Sequence, residues 1–122
     1  MSKLDKQINN LPKTQHPDTQ YRVMDLIQKK PDITQRQLAS ELGISLGSMH
    51  YCLKALAHKG WVKAGNFRNN PNKSAYLYLL TNEGITQKSK LAIEFLRRKK
   101  YEYKKLKFEI DELSETLNKK DY

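Results

Sequence analysis

A single cysteine, Cys52, excludes an internal disulfide and fits a reducing compartment. No apolar run approaches the ~18 residues that a membrane-spanning helix needs. The opening stretch, MSKLDKQINNLPKTQHPDTQ, lacks the apolar segment of a signal peptide. A soluble cytoplasmic chain with no membrane partner is therefore expected. Acidic residues are scarce: 13 Asp and Glu stand against 23 Lys and Arg, a net charge of +10. That excess favours an anionic partner. Catalytic equipment is missing as well. The three histidines, His16, His50 and His58, have no Asp or Glu at metal-ligand or triad spacing. No Gly-rich phosphate loop occurs, and Cys52 sits beside an apolar stripe as a packing residue. The expectation is a protein that is not an enzyme and needs no metal or cofactor.

Proline and glycine are absent from the last third: no Pro follows Pro71 and no Gly follows Gly84. From Thr81, an N-cap candidate, the pattern is helical almost to the end. A helix of roughly 36 residues would be about 54 Å long, more than one small core can cover.

Upstream, punctuation is dense. Residues 1–17 are polar, carry Pro12 and Pro17, and read as a flexible tail, with Leu4, Ile8 and Leu11 as a candidate short helical turn. Pro17-Asp18 opens a helix whose apolar face is Val23, Met24, Leu26 and Ile27, and Pro31 stops it. Thr34 followed by Gln37 is a capping box, Ile33 and Leu38 are its staple, and Gly43 ends that helix. Only Gly43 and Ile44 separate it from Ser45, the next N-cap. Met49, Leu53 and Leu56 then form an apolar stripe that ends at Gly60. Two short helices joined by so tight a turn are a helix-turn-helix. WVKAGNF and SAYLYLL favour strands, and RNNPNK between them is a turn, so a basic hairpin follows.

The fold expected is mainly α with a small β-hairpin wing: a winged helix-turn-helix over residues 18–81 and a long C-terminal dimerisation helix over 82–122. In such a fold the second helix enters the major groove with its N-terminal residues at the base edges. Its first turn is Ser45, Leu46, Gly47 and Ser48. Gly costs roughly 1 kcal/mol in a helix against Ala, and here it trades stability for close approach to a duplex. Ser45, Gly47, Ser48, His50, Tyr51 and Lys54 form the outward face. Thr34, Gln35 and Arg36 open the preceding helix, where the duplex backbone passes. Arg68, Asn70 and Lys73 are the candidate contacts of the wing. Ser48, His50 and Tyr51 are the candidate base readers; Lys54, Arg68 and Lys73 supply affinity. Between residues 31 and 80 six cations face two acids, Asp32 and Glu41. A winged helix that docks proteins through its long helix is the rival class, and it has no need of this bias. Structured RNA is a second rival, disfavoured because the narrow major groove of RNA excludes a helix.

Over residues 20–85, ITQRQLASELGISLGSMHYCLKALAHKGWVKAG followed by YLYLLTNEG resembles the winged helix-turn-helix of MarR-type bacterial transcription regulators. Leu80, Thr81 and Gly84 match the Leu-Thr-x-x-Gly signature at the end of the wing. The continuation into a Lys- and Glu-rich helix is similar to a small subgroup associated with exopolysaccharide loci. The resemblance implies binding of double-stranded DNA and control of transcription, usually as a homodimer. Where typical members carry an Asp-Arg pair in the wing, this chain has NFRNNPNKSA and keeps Arg68.

The long helix supplies its own argument for a dimer. Ala92, Leu96, Lys99, Tyr103, Leu106, Ile110, Leu113 and Leu117 recur at alternating spacings of four and three, a heptad seam. Leu96, Tyr103, Ile110 and Leu117 take position a, and Leu106 and Leu113 take position d. Ile at a with Leu at d suits a parallel two-stranded coil, whereas the basic and acidic blocks along the helix favour an antiparallel one. The reading leans to parallel.

Overall fold

The computed structural model describes residues 2–65 and 77–119. Five helices and a hairpin follow in order: α1 (Lys3–Asn9), a 3-10 turn (Lys13–Gln15), α2 (Pro17–Lys29), α3 (Gln35–Leu42), α4 (Leu46–His58), β1 (Val62–Ala64), β2 (Tyr78–Leu80) and α5 (Asn82–Lys119). This is the expected class, a mainly helical winged helix-turn-helix continued by a long C-terminal helix.

The helix boundaries have local causes. The Gln37 N–H donates to Thr34 Oγ1 at 3.1 Å, and the Thr34 N–H donates to Gln37 Oε1 at 2.9 Å, so the capping box of α3 is closed in both directions. Gly43 takes φ +64°, which a side chain would resist, and this lets the Ile44 N–H reach back to the Ala39 carbonyl at 2.9 Å. Gly60, at φ +78°, does the same for α4, with the Trp61 N–H on the Leu56 carbonyl at 3.0 Å. Pro17 occupies the first position of α2, and His16 caps it by accepting the Asp18 N–H at 3.1 Å.

The core gathers one face of each short helix: Val23, Met24 and Ile27 from α2, Leu38 and Ala39 from α3, and Met49, Cys52, Leu53 and Leu56 from α4. Val62 of β1 closes one side, and Leu91 of α5 packs against the cluster. The two strands pair antiparallel, with Val62 opposite Leu80 and Ala64 opposite Tyr78.

α5 begins at a tight joint. Thr81 Oγ1 accepts the Gly84 N–H at 2.9 Å and donates to the Gly60 carbonyl at 2.5 Å, while the Thr81 N–H donates to the Trp61 carbonyl at 3.0 Å. Gly84 is pressed so closely on that carbonyl that a Cβ would stand 2.0 Å from the oxygen. The next turns lie on α2: Tyr21 and Phe95 have ring centroids 5.3 Å apart, and Arg98 donates to Asp18 at 2.5 Å. The first part of α5 therefore packs on the head.

One expectation is corrected. Residues 3–9, read as part of a flexible tail, form α1, and α1 is docked on α5. Asp5, 1% exposed, accepts a two-pronged bond from Arg97, Nη1 at 2.9 Å and Nη2 at 2.6 Å, with Arg98 Nη1 at 3.9 Å. The Arg97 bond, helped by Ser2, holds this carboxyl well below the usual carboxylate range against the opposing effect of burial. The partners are 92 residues apart, beyond the reach of any local sequence pattern.

Replacing Gly84 by Ala is expected to lower the unfolding free energy by about 1–3 kcal/mol, the usual cost of overpacking. Urea unfolding followed by circular dichroism measures it, and an unchanged midpoint would show that the joint yields.

Candidate nucleic-acid interface

The end of α4 that should meet a duplex is built from small and polar side chains. Ser45 caps the helix by accepting the Ser48 N–H at 3.1 Å, and its hydroxyl donates to Ser48 Oγ at 2.9 Å. The Ser48 oxygen is thereby engaged within the chain. Gly47, between them, is exposed, and a Cβ placed on it would meet nothing within 4 Å. Packing inside the molecule therefore does not require glycine there. The room it leaves is room toward the outside.

Behind that end the helix sorts its faces. Met49, Cys52, Leu53 and Leu56 are fully buried, whereas His50, Tyr51 and Lys54 are exposed, Tyr51 at 56%. A half-buried surface tyrosine is thus excluded in favour of one that projects. On α3, Arg36 is exposed, Gln35 is half-buried, and Thr34 has its hydroxyl committed to the cap. Lys63 of β1 is exposed.

The electrostatics favour an anion. Of the two acids in this stretch, Glu41 is already paired with Lys30, the residue that follows α2, at 2.5 Å. Among the described residues Arg36, Lys54 and Lys63 enter no ion pair, so their charge is directed outward. Lys59 lies over the Trp61 ring at 4.5 Å from its centroid, which anchors the C-terminal end of α4. Arg68, Asn70 and Lys73, the wing-tip candidates, lie outside the described residues.

Two residues escaped the sequence reading. Leu46, the first residue of α4, is 41% exposed; it was passed over because apolar residues in a helix are counted toward the core. His16 was read as part of the tail, but it caps α2. No group of three or more His, Cys, Asp or Glu among the described residues is placed to hold a metal.

Residues 17–63 match the family model described as winged helix-turn-helix DNA-binding. No curated protein sequence matches the chain. Among solved structures, it is similar to the PcaV transcriptional regulator of Streptomyces coelicolor in complex with its natural ligand, at 22% identity over 64% of this chain and 54% of that one, with a TM-score of 0.57. It is similar to FabT of Streptococcus pneumoniae in complex with DNA, at 25% identity over 69% and 57%, TM-score 0.53. It is also similar to a mutant MarR of E. coli complexed with operator DNA, at 29% identity over 59% and 50%, TM-score 0.51. The chain thus spans only about half the length of these proteins.

Burial pushes the Cys52 thiol up to about 11, with Lys59 opposing. An unfolded thiol titrates near ~8.5, so this group favours the folded state below that pH and loses the effect as pH rises toward 11. At pH 8 the folded protein is expected to resist a thiol-alkylating reagent that modifies it fully in urea; labelling at equal rates in both states would place Cys52 at the surface.

Proposed function

We propose that this chain, whose head is the winged helix-turn-helix shared with MarR-type regulators, is a sequence-specific double-stranded DNA-binding protein that controls transcription. The observation that carries the reading is the open N-terminal end of α4: Gly47 faces empty space, exposed His50, Tyr51 and Lys54 follow it, and Arg36 and Lys63 add charge that nothing in the described chain neutralises. α4 would enter the major groove with its N-terminus at the base edges. Ser48, His50 and Tyr51 would read, while Lys54 and the wing residues Arg68 and Lys73 would hold phosphate. The two DNA-bound relatives, FabT and MarR, support the same use of the fold.

A homodimer through α5 completes the proposal. Leu96, Tyr103, Leu106, Ile110, Leu113 and Leu117 are all more than half exposed in the single chain. So long an apolar seam left in water calls for a partner. At about 100° per residue, the seam lies roughly a quarter turn from Leu91, Phe95 and Arg98, the residues that face the head. A second α5 can therefore dock without displacing the head.

The parallel arrangement fits the flanking charges. In a parallel pair Glu102 at g meets Lys107 at e of the partner. In an antiparallel pair g faces g and e faces e, which sets Glu102 and Glu109 among acids and Lys107 against its own copy. The block charges that suggested otherwise, Lys104, Lys105, Asp111 and Glu112, fall at b and c, away from the seam. Exposed pairs are each worth about 0–1 kcal/mol, so the apolar seam drives association and the charges select its direction. Both heads then lie at one end of the coil, within reach of half-sites about 34 Å apart.

If a dimer neutralises roughly 6–10 phosphates, the logarithm of its binding constant should fall with the logarithm of salt at a slope of about −5 to −9. Titration of a labelled promoter fragment from its own locus at several salt concentrations tests this; a flat line, or no binding at low salt, defeats the DNA reading.

Leu106→Lys combined with Ile110→Lys is expected to give monomers by sedimentation and to reduce operator affinity sharply. A double variant that stays dimeric removes the seam from the interface. A cysteine at Asn118 that crosslinks readily supports the parallel coil, and one that does not contradicts it.

A further inference from the structure

We propose that Leu46 is a specificity-determining residue of the DNA interface, one that recognises the C5-methyl group of a thymine in the major groove. The inference rests on the duplex-DNA reading above and adds to it a particular base and a particular atom.

Leu46 stands three residues before Met49 and seven before Leu53, in line with the buried stripe but at the very end of the helix. α4 buries Met49, Cys52, Leu53 and Leu56 completely, yet it leaves this leucine 41% exposed at its first position. Single exposed apolar residues are ordinary. This one is distinguished by where it stands and by what surrounds it. Side chains of a helix lean back toward its N-terminus, so Leu46 projects beyond the end of α4 that is aimed at base edges. Ser45 and Ser48 beside it are bonded to each other at 2.9 Å, and Gly47 has no side chain, with open space where a Cβ would be. His50, one turn on, is exposed. The exposed part of the leucine therefore lies among small and polar groups.

In the major groove the edge groups of the bases are hydrogen-bond donors and acceptors, apart from the thymine C5-methyl. A leucine carried into the groove either covers that methyl or leaves its own branched end against polar edges that prefer water. Contact with a thymine is the arrangement in which both apolar surfaces lose water together. The missing side chain at Gly47 removes the obstacle that would otherwise hold the leucine back from the base edge.

The test removes the methyl alone. The full-length protein first selects its preferred operator from random duplexes. Each thymine of that operator is then replaced singly by deoxyuridine, which keeps the pairing and loses the C5-methyl. At one thymine in each half-site, affinity should fall about fourfold, the worth of burying one methyl-sized group. Leu46→Ala should bind the thymine and uracil operators equally at that position while keeping any response at the others, and Leu46→Met should retain the difference. Circular dichroism checks that Leu46→Ala keeps the parent fold, and Leu46→Met, which keeps the apolar bulk, separates loss of the methyl contact from loss of packing. Absence of any deoxyuridine effect, or the same effect in Leu46→Ala, overturns the methyl contact while leaving the DNA reading intact. A protein that selects no sequence overturns both.

Discussion

The carbonyl of Trp61 is the point on which the molecule turns. It lies between the end of α4, which the Trp61 N–H closes on the Leu56 carbonyl, and β1; it receives the Thr81 N–H at 3.0 Å and is the surface against which Gly84 is pressed. Thr81 ties the same corner to Gly60 and to Gly84 through one hydroxyl. The end of α4, the base of the hairpin and the start of α5 are therefore held by one small group of backbone atoms. Nothing larger than a hydrogen fits at residue 84. Geometry at this corner fixes how the long helix leaves the head.

A second set of contacts holds the direction so established. Phe95 stacks beside Tyr21, Arg98 reaches Asp18 near the start of α2, and Lys88 pairs with Asp25 at 2.9 Å. Arg97 then takes hold of Asp5 on α1. α1, α2 and α5 are joined through this run of charges, and the buried members are paired, as burial of charge requires. Beyond Lys99 every described residue of the helix is exposed, and most of the apolar seam lies there.

What could be read in the sequence is what is decided locally. The Thr34–Gln37 box, the glycines at 43 and 60, and the spacing of Met49, Leu53 and Leu56 each state their structure within a few residues, and each is found in place. The outward face of α4 follows from the same spacing. The docking of α1 does not: Asp5 is an ordinary polar residue in an ordinary polar stretch until α5 brings Arg97 beside it. The Gly84 joint was visible only as a family signature, since its reason is a carbonyl twenty-three positions upstream. Leu46 was obscured by a sound rule applied at a helix end, where an apolar residue has no core to face. Arg68, Asn70 and Lys73 stand as sequence expectations of the wing.

The length of α5 has a mechanical side. Its 38 residues reach about 57 Å, so a change of only about 5° at the Trp61–Gly84 corner displaces the far end by roughly 5 Å. The contacts of Lys88, Phe95, Arg97 and Arg98 stand within its first half and oppose that rotation. The corner and these clamps together set the aim of the far end, and loosening any one of them is magnified along the rest of the helix.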